Sequence, residues 1–350
     1  MKAEKTFMHL KRIFIIEDKK DFTDKIFLSG IRKTVKGFIR LGHDVYNFDY
    51  GGAFEHVAPI MSKVLSRKWV KNKVDELLVQ QLKSYNPDIV YISFANFLDV
   101  NTIALIREAV PNAFLFGFDG DPWPMMQTNR IAVGSKLDLM LATNNGKWLD
   151  EYRSMGVKAS FMPNPCDPDI EYRYQVSDEW KTDILFTGKT RQTHKRMPTD
   201  LTRHQIIDKL SRMKNCTFYG CLGRPKIGGI NYQYAISGAR IALSINIAND
   251  VSLYHSDRLT HYLACGTFVL AKRVPDSDLM FKDGVHIKYF DTAEEFFELM
   301  DWYLKNENER LKIANAGMQR VHTEFNGTRI AQYILDIIEK GTYEAPWNRS

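Results

Sequence analysis

Short apolar runs alternate with amphipathic stretches along this chain. Arg12-Ile13-Phe14-Ile15-Ile16 suits a strand buried on both faces. An amphipathic stretch from about Lys25 to Leu41 follows, stopped by Gly42, and His43 to Phe48 returns as a strand. The pattern then predicts a charged helix over Lys63 to Tyr85, ending before Asn86-Pro87, and a strand from Ile89 to Ser93. A helix from Val100 to Val110 and strands over Ala113 to Phe118 and Leu137 to Ala142 complete the first half. Strands alternating with helices of this length predict a doubly wound parallel sheet.

Regular structure stops at Met162-Pro163-Asn164-Pro165-Cys166-Asp167-Pro168, and a second alternating series begins beyond it. Strands are predicted at Asp183 to Thr187, Thr217 to Tyr219, Ile241 to Asn246, Thr267 to Ala271 and His286 to Tyr289. Helices are predicted at Thr202 to Met213, Tyr232 to Ala239 and Arg258 to Ala264, then at Ala293 to Leu304, Glu307 to Glu324 and Thr328 to Glu339. The expected organisation is a Rossmann-like domain over 1–165, a second over 166–335, and a tail over 336–350. Ligands of open α/β sheets bind at the carboxyl ends of the strands, which places the expected site in a cleft between the domains.

Length supports this division, since 350 residues exceed one ordinary core. A formal charge of +6 suits a phosphate-bearing ligand without demanding nucleic acid. The four cysteines follow neither a zinc spacing nor a paired CxxC, which reads as reduced structural thiols and a cytoplasmic protein. No apolar run reaches the roughly 18–20 residues of a membrane-spanning helix, so an integral membrane segment is not expected, and contact with a membrane is left as peripheral.

The run Ser256 to Ala271, SDRLTHYLACGTFVLA, carries the clearest chemistry. Its helix start offers unpaired N–H groups and partial positive charge, and Arg258 adds a planar fork that matches phosphate geometry. Lys189 and Arg191, after the first strand of the second series, add charge suited to the same anion. His261 reads either as a ligand for ribose or phosphate or as a satisfied structural histidine. The basic residues His194, Lys195, Arg196, Arg203 and His204 read mainly as a solvated face. The glycines from Gly220 to Gly229 read as loop residues.

From Tyr232 through Asn246, then Arg258 to Gly266 and Asn306 to Gly317, the chain resembles GT-B glycosyltransferases of the CgeB/spore-protein type, within the glycosyl transferases group 1 superfamily. The resemblance covers about residues 180–335; the first half is similar in layout alone. It implies a GT-B architecture, two Rossmann-like domains facing a central cleft. It also implies a nucleotide-sugar donor on the second domain, an acceptor on the first, and neither a metal nor any other cofactor. Gly188, Lys189, Arg191 and Arg258 then match positions that meet the donor diphosphate. Ribose or base contacts are expected from His261, Tyr219 and Tyr254, and acceptor or sugar contacts from Ser29, Gly30 and Trp123. The pattern departs at His261 and Leu253, where retaining members carry the glutamates of an E-x7-E signature.

That departure favours an inverting transfer, which needs one carboxylate to deprotonate the acceptor hydroxyl. Asp119 is the expected base and Asp121 the runner-up; Asp119 stands at a place similar to the catalytic aspartate of phage DNA β-glucosyltransferase. The acceptor is left open among a glycan, a lipid-linked saccharide, a protein and a modified nucleic acid. Two other readings also stay open: a nucleotide-sugar epimerase or hydrolase on the same fold, and a non-catalytic carbohydrate-binding protein.

Overall fold

The computed structural model describes residues 10–18, 29–61, 67–120, 128–189 and 201–348. The first sheet contains β1 (Arg12–Glu17), β2 (Asp44–Asp49), β3 (Ile89–Ile92), β4 (Phe114–Asp119), β5 (Leu139–Ala142) and β6 (Ala159–Phe161), in the order β2-β1-β3-β4-β5-β6. Every pairing is parallel, with Ile13 opposite both Val45 and Ile89. Parallel strands need covered faces, and β1, β3 and β5 are correspondingly apolar throughout their centres. The helices are α1 (Gly30–Arg40), α2 (Tyr50–Met61), α3 (Arg67–Tyr85), α4 (Val100–Ala109), α5 (Thr128–Gly134) and α6 (Lys147–Ser154).

The second sheet is also parallel, in the order β11-β10-β9-β7-β8. Its strands are β7 (Thr182–Thr187), β8 (Cys216–Tyr219), β9 (Ala239–Ser244), β10 (Phe268–Lys272) and β11 (Lys288–Phe290). They alternate with α7 (Leu201–Leu210), α8 (Gly229–Gly238) and α9 (Asp257–Ala264). Three helices end the chain: α10 (Ala293–Lys305), α11 (Glu307–Glu324) and α12 (Gly327–Lys340).

The last of these changes the expected division of the chain. α12 leaves the second sheet and packs along α1 of the first. Glycines permit the close approach: a Cβ on Gly37 would collide with the Gly327 carbonyl, and one on Gly327 with that of Lys33. The boundary placed at residue 335 therefore falls inside a helix that covers the first domain. The residues beyond it are no loose tail, because Tyr343 and Trp347 are buried and Tyr343 Oη donates to the Phe161 carbonyl at 2.7 Å. The chain thus crosses between domains twice, and the crossings are bonded together: Cys166 N–H donates to the Phe325 carbonyl at 2.8 Å, and Gly327 N–H to that of Cys166 at 3.1 Å.

Candidate functional site

Between the domains lies a cavity of about 360 Å³. Its first-domain wall comes from the start of α1 (Ser29, Gly30, Lys33) and from residues at the ends of β3 and β4, Ser93, Phe94, Phe118 and Gly120. Asn164 and Pro165 of the crossing form its floor, and Tyr254 to Asp257, leading into α9, form the second-domain wall. Two helix starts, one per domain, thus face one space.

Residue 256 caps α9 by backbone geometry, with φ −71° and ψ 154°, but its side chain makes no capping bond. Its N–H donates to Asn246 Oδ1 at 3.1 Å, and Asn246 Nδ2 holds the Tyr254 carbonyl at 3.1 Å. The Ser256 hydroxyl is buried and has no protein partner among the described residues. Leu259 N–H closes back on the Ser256 carbonyl at 3.0 Å, and the start of α9 otherwise carries no side-chain capping bond from Ser256, the local arrangement that favours an anion. α1 begins in the same way, at Ser29 with φ −68°, ψ 139° and no side-chain capping bond.

Beneath these helix starts lies a buried charge cluster absent from the sequence expectations. Lys33 Nζ lies 2.8 Å from Glu171 Oε2 and donates to the Pro165 carbonyl at 3.2 Å. His261 Nδ1 bonds Glu171 Oε1, while His261 Nε2 stands 3.9 Å from Asp257. Burial alone would raise the Glu171 pKa, but Lys33 and His261 reverse that and bring it down to about 2. Burial and the Lys33 ammonium oppose protonation of His261, yet the carboxylates of Glu171 and Asp257 outweigh them and raise its pKa. His261 is thus a partnered residue of the domain junction. Its neighbour His255, also buried, is pushed the other way, to about 4, because burial outweighs the Leu253 carbonyl and the Asp257 carboxylate that act against it.

Arg258 is placed beside the expected phosphate loop, but its fork is directed elsewhere. Nη1 donates to the Thr187 carbonyl at 2.7 Å and Nη2 to that of Ile245 at 2.8 Å, tying the carboxyl end of β7 to that of β9. The guanidinium also lies 5.3 Å from the Phe186 ring centroid, and Arg203 covers the same ring at 5.4 Å. Arg203 is buried there and bonds the Lys189 carbonyl, so it does not belong to a solvated face. Gly188 has a φ of +140°, and a Cβ on it would collide with Arg258. Lys189 is exposed, and Tyr219 is half-buried at the end of β8. Arg191 lies outside the described residues.

Asp119 departs most from its expected role. It ends β4, but Phe118 and Gly120 are the residues that line the cavity. The Asp119 carboxylate instead takes Arg130 Nη1 at 2.6 Å and the Tyr152 hydroxyl at 3.0 Å, in a site where Asp119 and Arg130 are buried. Burial and that carboxylate raise the Tyr152 pKa, which keeps the phenol a donor. The geometry describes a strand-to-helix clasp. Asp121 and Trp123 lie outside the described residues. The aromatic surface that does face the cleft is Phe94, 53% exposed with a φ of +66°, packed edge-on against Phe118 at 5.8 Å. Alternating apolar residues gave no sign of it.

Residues 203–336 match the model of a family described as glycosyl transferase-like. Among solved structures, the chain is similar to a glycosyltransferase from Rickettsia africae, at 13% identity over 98% of this chain and 100% of that one, with a TM-score of 0.62. Anabaena Alr3699/HepE in complex with UDP-glucose aligns at 12% identity over 94% and 99%, with a TM-score of 0.60. The lipopolysaccharide outer core galactosyltransferase WaaB aligns at 12% over 95% and 100%, with a TM-score of 0.54. The fold is the GT-B glycosyltransferase fold. No curated protein matches the chain in sequence. The cavity lies where the carboxyl ends of strands from the two sheets oppose each other. Among the described residues, no cluster of three or more His, Cys, Asp or Glu could hold a metal ion, and no helix is long and apolar enough to cross a membrane.

Proposed function

We propose that this protein is a glycosyltransferase that moves a sugar from a nucleotide-sugar donor to an acceptor hydroxyl. The observation that carries the reading is the meeting of two helix starts, α1 from one domain and α9 from the other, across a single cavity of about 360 Å³. The first-turn N–H groups and partial positive charge of these helix starts suit a donor diphosphate and would stabilise it as it departs. Exposed Lys189, beyond β7, adds charge on the second-domain side without a metal. UDP-glucose bound to the structurally similar HepE supports a nucleotide sugar as the donor class. The runs Arg258 to Gly266 and Asn306 to Gly317 support the CgeB/spore-protein subtype.

Phe94 and Phe118 give the first-domain wall an aromatic face suited to the C–H face of a saccharide acceptor. An inverting displacement requires a carboxylate base near that wall. Since Arg130 and Tyr152 occupy Asp119, the role passes to Asp121, two residues on in the sequence.

Calorimetric titration with a panel of UDP-, GDP-, ADP- and dTDP-sugars tests the donor reading. Saturable binding of one of them, followed by sugar transfer in an acceptor screen, is expected. Failure of the whole panel to bind would overturn the proposal.

A further inference from the structure

A second cavity, of about 520 Å³, opens at the opposite end of the second sheet. Parallel strands put their amino ends here and their carboxyl ends at the cleft, so the length of the sheet separates the two spaces. Its wall is built from Arg173 and Tyr174 of the linker, the starts of β7 and β9, Gly266 before β10, and the first turns of α11.

Arg173 gives this cavity its chemistry. One nitrogen, Nη2, donates to the Gly266 carbonyl, and no carboxylate pairs with the guanidinium among the described residues. Arg173 is itself exposed on the cavity wall, and partial desolvation lowers its pKa. Room for the group is made by Gly266, whose φ is +70°; a Cβ there would stand 2.8 Å from Arg173 Nε and 2.9 Å from Nη2. The neighbouring cations are already neutralised. Arg240 pairs with Asp183 at 2.9 Å and Arg310 with Glu307 at 3.0 Å, while Lys181 reaches out to Asp178 at 2.6 Å.

An aromatic surface adjoins the guanidinium. Tyr174 stacks on Tyr172 with centroids 4.2 Å apart and meets Tyr234 edge-on at 5.5 Å. These rings are only partly covered, and Tyr172 is 43% exposed. A charged fork without a counter-ion beside a partly exposed ring is suited to a ligand with an oxyanion on one end and a pyranose face on the other.

We propose that this cavity binds a sugar phosphate, with the phosphate on Arg173 and the sugar ring against Tyr174. The site is independent of the donor reading of the cleft.

Calorimetry on the full chain with glucose 6-phosphate, glucose and inorganic phosphate, with UDP-glucose titrated in parallel, tests it. Glucose 6-phosphate should bind saturably and more tightly than either fragment, whether or not UDP-glucose is present. Arg173→Gln should weaken it about tenfold or more, and Tyr174→Leu should weaken it as well, both with unchanged circular dichroism and unchanged behaviour toward UDP-glucose. Absence of binding, equal binding by the variants, equal binding of inorganic phosphate, or displacement by UDP-glucose would each overturn the proposal. The UDP-glucose titration reports on the cleft separately, so failure of one site is distinguishable from failure of the other.

Discussion

The Lys33 ammonium lies 2.8 Å from the Glu171 carboxylate, and each side chain is 1% exposed. One partner stands on the first helix of the first domain and the other in the linker, with His261 of the second domain completing the cluster. The domain junction therefore turns on one carboxylate facing two cationic groups.

Removing that carboxylate should be costly. Glu171→Gln leaves Lys33 buried without a counter-charge, and a loss of about 3–5 kcal/mol is expected. Urea unfolding checks this. Adding Lys33→Met to the variant should recover part of the loss, because the orphaned charge goes with it.

Stability should fall in two acid steps. His255 is held at about 4 in the fold, below its ordinary 6.5, so the unfolded chain takes up a proton first and stability declines as pH drops from about 6.5 to 4. Glu171, held at about 2 against an ordinary 4.5, contributes stability above 4.5 that is lost as pH falls toward 2. His261 acts in the opposite sense: with its pKa raised, its contribution is fully present below 6.5 and disappears as pH rises through the folded value. Denaturation midpoints across this range should show a shallower slope between pH 6.5 and 4 for His255→Gln.

Asp119→Asn separates a clasp from a base. Breaking the pair with Arg130 should lower stability by about 3–5 kcal/mol while sugar transfer per folded molecule stays within a few-fold. Asp121→Asn should instead lower the transfer rate by about 10²–10⁴ with little change in melting. Thermal unfolding and initial rates measured on both variants decide between the residues.

Phe94 is exposed, so Phe94→Ala should alter melting little. Loss of the ring should raise the KM for a saccharide acceptor about three- to tenfold and leave donor affinity unchanged. Steady-state kinetics with the two substrates varied in turn provides the check.

Arg258→Ala should reduce both stability and donor affinity, since it releases the carbonyls of Thr187 and Ile245 at the edge of the site. Arg258→Lys keeps the charge but cannot hold both carbonyls, and should recover little. Unfolding curves and donor titrations on the two variants test the pairing of these losses.

Most strands were legible because a strand buried on both faces is written as a local apolar run: Ile13 to Ile16 and Ile89 to Ile92 are such runs. α2 was not, since Gly51, Gly52 and Pro59 interrupt any helical signal there. α12 was legible as a helix, but its periodicity shows which face is apolar and not which helix that face meets. Near the site, the start of α9 is legible from local chemistry, whereas the carbonyl partners of Arg258 are not. Lys33 and His261, 228 positions apart, were not recognised as neighbours, because nothing local to either residue records the other. The partners of Asp119 are illegible for the same reason: a carboxylate at a strand end looks alike whether it faces the cleft or Arg130.

The return of α12 to the first domain also bears on how the molecule is made. Synthesis delivers the first domain's strands early, but the apolar cluster joining Val35 and Phe38 to Ile330, Ala331 and Ile334 needs the final helix. Until that segment leaves the ribosome, one flank of the newborn domain lies open to water and to unwanted partners. Chains ending before Gly327 should then emerge as an unfinished half, exposed to chaperones and proteases. The first domain to be translated is the last to be sealed.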